Sequence, residues 1–207
     1  MALTGLFLCA FLVEHLYGNL LLYYNDNGAA FIEYSHTMVH SILIRLVEIF
    51  LFAAIIVHVV QAIILTRQNN KARPVKYAVN KASENSSWYS RNMGLTGSLI
   101  FFFLVVHLNT FFVSYRITGL ADNENIAWKV KEAFSSGWYS ALYVFAVVIL
   151  GFHLNHGFQS AFQTLGLNDK KYAPILKNVG TAFAILITLG FASFPILFYF
   201  GIAGSTY

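Results

Sequence analysis

Five long apolar runs, at residues 2–24, 38–66, 92–117, 135–163 and 175–203, dominate the sequence. A helix needs about 20 apolar residues to cross the hydrocarbon core of a bilayer, and each run is long enough. Turn-rich or charged stretches separate them at 25–28, 67–91, 116–132 and 165–174. Charged residues make up only 11% of the 207, against about a quarter in soluble domains, so an ordinary water-soluble fold is excluded. The expected architecture is one all-α membrane domain over 1–207, a bundle of five transmembrane helices. Pro195 interrupts only the last run, where a kink is tolerated if neighbouring helices satisfy the freed backbone. The first run lacks a basic n-region and a small-x-small cleavage site, and reads as a membrane helix rather than a signal peptide. Cys9 is the single cysteine, which excludes an internal disulfide.

Basic residues set the orientation. The second connection carries Arg67, Lys71, Arg73, Lys76, Lys81 and Arg91, and the fourth carries Lys170, Lys171 and Lys177. The opposite side has only Arg116, Lys129 and Lys131, so six plus three face three. The N-terminus is expected inside and the C-terminus outside. The net charge of +4 therefore reflects short loops rather than affinity for nucleic acid. Tyr23, Tyr24, Trp88, Trp128 and Trp138 fall near helix ends, where an aromatic belt belongs.

Histidines occupy four of the five runs: His15, His58, His107 and His153. A histidine deep in lipid is costly, and four in separate helices call for one explanation. At about 1.5 Å per residue, counted from the inner helix ends, His15 and His107 lie roughly 21–24 Å up and His58 and His153 roughly 12–17 Å up. Two layers of two imidazoles suit axial ligation of two b-type haems inside a helical bundle. The competing use of a membrane histidine is an interhelical hydrogen bond or a proton relay, and His156 competes with His153 as a ligand.

A short repeat supports the pairing. Thr4-Gly5, nine residues, then His15-Leu16 recurs as Thr96-Gly97, nine residues, then His107-Leu108. An offset of eleven residues returns to within about 20° of the same helix face, so each threonine is expected at the inner haem level, with each glycine admitting a porphyrin edge. On the fourth run, Gly157 at +4 from His153 favours that histidine over His156. Ser160 and Thr164 extend its face toward the inner surface as candidate haem-propionate partners.

Other polar residues lie within or beside the runs. Arg45 and Glu48, three apart, form either a mutual ion pair or a propionate partner and a proton carrier near the outer haem. Glu14 is a second candidate proton carrier, or a hydrogen-bond partner for another helix. Arg91 opens the third run as an inner anchor or a propionate contact. His36 and His40 stand near the outer start of the second run, as interfacial residues or as part of a quinone pocket.

At these residues the chain resembles the cytochrome b membrane subunit of succinate dehydrogenases and fumarate reductases, in the single-subunit, five-helix, di-haem class of menaquinone-using bacteria. The segments carrying the resemblance are Thr4-Gly-Leu-Phe-Leu through Glu14-His15-Leu-Tyr-Gly-Asn19, Glu48 with His58, Ser90-Arg-Asn-Met-Gly-Leu-Thr-Gly97 with His107-Leu108, and His153-x-x-x-Gly157 with Leu165-Gly166. The resemblance implies that His15 and His107 ligate the outer haem, and His58 and His153 the inner one. It implies a bacterial cytoplasmic membrane, an FAD-bearing flavoprotein partner that handles succinate, and an iron–sulfur partner that feeds electrons through both haems to quinone, with menaquinone expected. Glu33 and His36 both fall in the region where that family places an acidic quinone residue. The chain carries no flavin fingerprint and no cysteine cluster of its own. Bis-histidine ligation leaves iron no open position, which suits electron transfer rather than oxygen binding. A stand-alone cytochrome b of the ferrireductase kind, and a haem-free transporter with a His/Glu proton path, are the alternative expectations.

Overall fold

Hydrocarbon offers the backbone no hydrogen-bond partners, so long apolar runs become helices, and the computed structural model is all-helical over the residues described, 1–72, 86–120, 125–167 and 169–204. Five helices are long and apolar enough to cross a membrane: Ala2–Tyr23, Ile42–Lys71, Met93–Ile117, Gly137–Thr164 and Ala173–Tyr199. In chain order the elements are α1 (Ala2–Leu20, closed by a 3-10 turn Leu21–Tyr23), α2 (Ala29–His40), α3 (Ile42–Lys71), α4 (Trp88–Arg91), α5 (Met93–His107, continued by a π-helix Leu108–Ile117), α6 (Ile126–Ser135), α7 (Gly137–Thr164) and α8 (Ala173–Tyr199). Arg73, Lys76 and Lys81 of the second connection lie outside the described residues.

Three features depart from the expected layout. The run expected from residue 38 is divided at Ser41, whose extended backbone ends α2 and whose Oγ accepts from the Ile44 N–H at 3.4 Å to cap α3. His36 and His40 therefore sit on α2, a separate helix, and α3 continues to Lys71, beyond the expected end at 66. The stretch 116–132, expected as a connection, contains most of α6; Asn125 caps it by accepting from Trp128 N–H at 2.8 Å. The last spanning helix covers Ala173–Tyr199 rather than 175–203, with Pro195 buried inside it.

α6 is amphipathic, and its buried face of Ile126, Ala127, Val130 and Phe134 packs with Leu22, Phe31, Tyr143, Phe194 and Phe198. Together α2 and α6 close the end of the bundle nearest His15 and His107. α7 and α8 form the most extensive helix–helix contact. Small residues allow such approach without any hydrophobic drive between helices in lipid. A Cβ on Gly190 of α8 would come 2.7 Å from Leu16 Cδ2 of α1, and one on Gly180 would come 2.9 Å from Phe158 of α7. α3 buries none of its residues, and Ile42, Leu43, Ile49 and Phe50 face outward, as suits a helix whose solvent is hydrocarbon.

Candidate functional site: two layers of paired histidines

The four membrane histidines meet in two pairs. His15 of α1 and His107 of α5 have ring centres 5.8 Å apart, edge to face at 87°. His58 of α3 and His153 of α7 have ring centres 6.4 Å apart at 60°. A metal–imidazole bond is about 2.0–2.1 Å and the nitrogen lies roughly 1.1 Å from its ring centre, so two imidazoles on opposite sides of one metal have centres roughly 6.3 Å apart. Both pairs fall within about half an ångström of that spacing. Of His153 and His156, His153 is the one whose ring faces His58. Among the described residues no three His, Cys, Asp or Glu side chains converge. A two-imidazole donor set fits a metal whose other positions are filled by a macrocycle, as in haem.

The helix ends are not level, which stretches the distance between the layers. Thr4, near the start of α1, meets His58, which stands thirteen residues before the end of α3. Thr96, near the start of α5, meets His153, eleven residues before the end of α7. α3 and α7 thus project about 12–17 Å beyond the starts of α1 and α5. Along α1 the layers are eleven residues apart, about 16 Å, wider than counting from helix ends suggests.

Three of the four rings have a partner on Nδ1. Thr4 Oγ1 lies 3.2 Å from Nδ1 of His58, and Thr96 Oγ1 lies 3.3 Å from Nδ1 of His153. The neighbouring glycines match: a Cβ on Gly5 or Gly97 would stand 3.5 Å from Cε1 of the same histidine. His107 Nδ1 lies 3.2 Å from the Tyr143 hydroxyl, which is 3.1 Å from that of Tyr139, and Tyr139 donates to Thr110 Oγ1 at 2.6 Å. His15 is sandwiched by rings, Phe11 stacked at 5.3 Å and Phe191 tilted at 5.6 Å. Bonds at Nδ1 leave Nε2 as the nitrogen able to bind a metal.

Beside the layer of His15 and His107 lies a charge cluster. Glu48 is 3.7 Å from Arg45 and 3.8 Å from Arg116. Arg116 is only 15% exposed, and among the described residues its buried Nε and Nη2 have no hydrogen-bond partner. Two guanidiniums against one carboxylate leave a net positive charge that an anionic group can offset.

The remaining candidates are spread over both ends. Glu14 is exposed on α1 and accepts a hydrogen bond from Tyr34 of α2, whose ring meets Tyr17 edge-on. Glu33 and His36 are exposed on α2, and the His36 ring stacks on His40 at 3.9 Å. Arg91 donates to the Ser86 carbonyl. A Cβ on Gly157 would meet only Met93 Cε, at 3.9 Å; Thr164 donates to the Ser160 carbonyl at 2.8 Å at the end of the same helix. A cavity of about 410 Å³ lined by Leu22, Tyr23, Tyr24, Asn25, Leu197 and Ile202 opens beyond the His15 layer. Tyr143, Tyr139, Tyr34 and Arg116 were not expected at the site. Tyr139 and Tyr143 stand one turn apart on the helix of His153, the one sequence signal that points to them.

Comparison of the chain with protein-family models, with curated proteins and with solved structures finds no match.

Proposed function

We propose that the chain is the di-haem cytochrome b that anchors a succinate dehydrogenase or fumarate reductase in the membrane and links it to quinone. The observation that carries the haem reading is the pair of imidazole spacings, 5.8 and 6.4 Å, in two layers of one bundle. Arg116 supports it, since it and Arg45 share the single carboxylate of Glu48 and its Nε and Nη2 have no hydrogen-bond partner among the described residues, while haem brings carboxylates in need of positive charge. The narrower assignment, to a succinate:quinone oxidoreductase, rests on the motif resemblance.

His58 with His153 would hold one haem b, and His15 with His107 the other. When bound, each supplies a one-electron carrier with no open coordination position. The chain's own residues orient and insulate. Thr4, Thr96 and Tyr143 hold imidazoles from behind, Phe11, Phe103, Phe111 and Phe191 exclude water from the outer layer, and Arg116, with Arg45 behind it, offers positive charge to a propionate. Arg91, Ser160 and Thr164 take that role at the inner end, where Gly157 leaves room.

With the basic connections inside, the inner ends of α3, α5 and α7 form the docking face for the iron–sulfur subunit, with the flavoprotein beyond it. Quinone, menaquinone in this reading, reacts toward the outer side in a bacterial cytoplasmic membrane. Glu14 with Tyr34, Glu48, and Glu33 with His36 are the proton-carrying candidates there.

A dithionite-reduced minus oxidised spectrum of the purified full chain tests the reading. Two b haems per chain are expected, falling to one in His58→Ala or in His107→Ala. A folded chain without haem overturns it and turns attention to a His/Glu proton path. Two haems in a chain that does not co-purify with flavin and iron–sulfur subunits favour the stand-alone cytochrome b.

A further inference from the structure

The Thr-Gly repeat has a symmetry that the ligand pairs alone do not require. α1 sends Thr4 to His58 on α3, and α5 sends Thr96 to His153 on α7, with hydroxyl–Nδ1 distances of 3.2 and 3.3 Å. Each contact crosses between helices, and each is made to the histidine of the layer opposite the one that the threonine's own helix serves. A hydroxyl has one proton and two lone pairs. Thr4 places its proton on the Met1 carbonyl at 2.9 Å, and Thr96 places its own on the carbonyls of Asn92 and Met93 at 3.1 and 3.2 Å. With the proton committed to backbone, each Oγ1 is left as an acceptor, and the imidazole must supply the hydrogen from Nδ1. The lone pair is then on Nε2.

We propose that Thr4 and Thr96 are positioning residues that fix both inner-layer histidines as the Nδ1–H tautomer and thereby set the electron affinity of the metal centre they hold. The proposal rests on the haem reading and deepens it. A hydrogen bond accepted from Nδ1–H makes the imidazole a stronger donor through Nε2, which favours the oxidised metal. Beside the two threonines, a Cβ on Gly5 or Gly97 would stand 3.5 Å from His58 Cε1 or His153 Cε1, an ordinary contact, so the same turn of each helix lies against the ring it holds. The other layer differs, because only His107 has a hydroxyl at Nδ1, that of Tyr143, while His15 lies between aromatic rings. The two centres are thus given unequal electron affinities by residues that are not ligands.

The test is potentiometric titration of the haem-loaded full chain, following the two haem components separately, in Thr4→Val, Thr96→Val, Thr4→Ser and Thr96→Ser. Valine keeps the shape and removes the acceptor; serine keeps the acceptor and trims a methyl. The expected result is that each valine variant raises the reduced-to-oxidised ratio of the inner component roughly three- to tenfold at fixed ambient potential, with the outer component unmoved and serine restoring the native ratio. Loss of the inner haem in the valine variants but not the serine variants also supports the proposal. Unchanged titration in valine, or equal changes in valine and serine, overturns it. A native chain without haem overturns the cytochrome reading itself, and is recognised before any variant is made.

Discussion

Arg116 Nε lies 3.8 Å from Oε2 of Glu48, although a regular α-helix would turn Arg116 away from the bundle. Arg116 is nine residues past His107, and at 100° per residue it would point to the opposite side of the helix. The segment Leu108–Ile117 is a π-helix, with the Thr118 N–H bonded to the Val113 carbonyl at 2.9 Å. At about 4.4 residues per turn, nine residues return to within roughly 20° of the starting face. His107, Phe111, Phe112 and Arg116 therefore share one inward stripe. Phe112 meets Phe52 of α3 at 5.2 Å, and Phe111 meets His107 at 5.4 Å.

Replacing Arg116 with leucine removes an inward cation whose Nε and Nη2 have no hydrogen-bond partner among the described residues, while Arg45 still pairs with Glu48. If haem is held as proposed, the His15/His107 component is expected to be lost or to take up electrons at least tenfold less readily than native, with the His58/His153 component unchanged. Arg45→Gln, at a side chain 51% exposed, is expected to change either component less than threefold, in keeping with a pair worth about 1 kcal/mol or less. Difference spectra recorded at stepped potentials separate the two variants.

The five spans and the pairing of the histidines were legible because a rise of about 1.5 Å and a turn of about 100° per residue suffice to sort His15 with His107 and His58 with His153. Arg116 was not legible, because the same angle assumes an α-helix throughout and the π-helix changes it. The break at Ser41 was hidden by apolar residues on both sides, and α6 by the polar residues before it. Tyr143 escaped because its role depends on how α7 is rotated against α5, which only packing decides. The layer spacing was underestimated because helix ends are not level, and sequence offers no common zero for depth.

Gly190 is where α8 passes α1, with Leu16 Cδ2 only 2.7 Å from a Cβ built there. Gly190→Val is expected to force the helices apart at a cost of about 1–3 kcal/mol. Phe191 and Leu16 flank this contact, and Phe191 rests on His15, so under the proposed reading a haem held by His15 and His107 is expected to be released at a lower temperature than one held by His58 and His153. A thermal ramp in detergent, monitored at the Soret band, reads both losses.

Tyr34 lies outside the spans, on α2, with its phenol pushed up from the ordinary value near 10 by burial and then by its hydrogen bond to Glu14 and that carboxylate's charge. The folded chain therefore keeps this proton at pH values where the unfolded chain has released it. The associated stability is complete below about pH 10 and is lost as pH rises from there toward the folded value. Thermal unfolding between about pH 8 and about pH 11 is expected to show a steeper alkaline decline in the native chain than in Tyr34→Phe. Equal slopes would mean that Tyr34 ionises as freely in the folded chain as in the unfolded one.

The outer layer has a counterpart of the threonine contacts in Tyr143. Tyr139 gives its proton to Thr110, Tyr143 gives its own to Tyr139, and the Tyr143 oxygen is left to accept from His107 Nδ1–H. Tyr143→Phe keeps the ring that packs edge-on against Phe103 and Phe134 at 4.8 and 5.0 Å, and removes only the acceptor. A buried donor left unsatisfied costs about 1–3 kcal/mol, so under the proposed reading the variant is expected to bind haem at His15/His107 more weakly and to hold it with a more reducible iron, while haem at His58/His153 titrates as in the native chain. Tyr139→Phe leaves the Tyr143 oxygen in place but frees its proton to turn toward His107, which would then have to present a bare Nδ1. That variant is expected to disturb the outer haem at least as much, despite standing one residue further from the metal. If Tyr139→Phe leaves the outer component untouched while Tyr143→Phe shifts it, the proton order along the chain is wrong and His107 is oriented by Tyr143 alone.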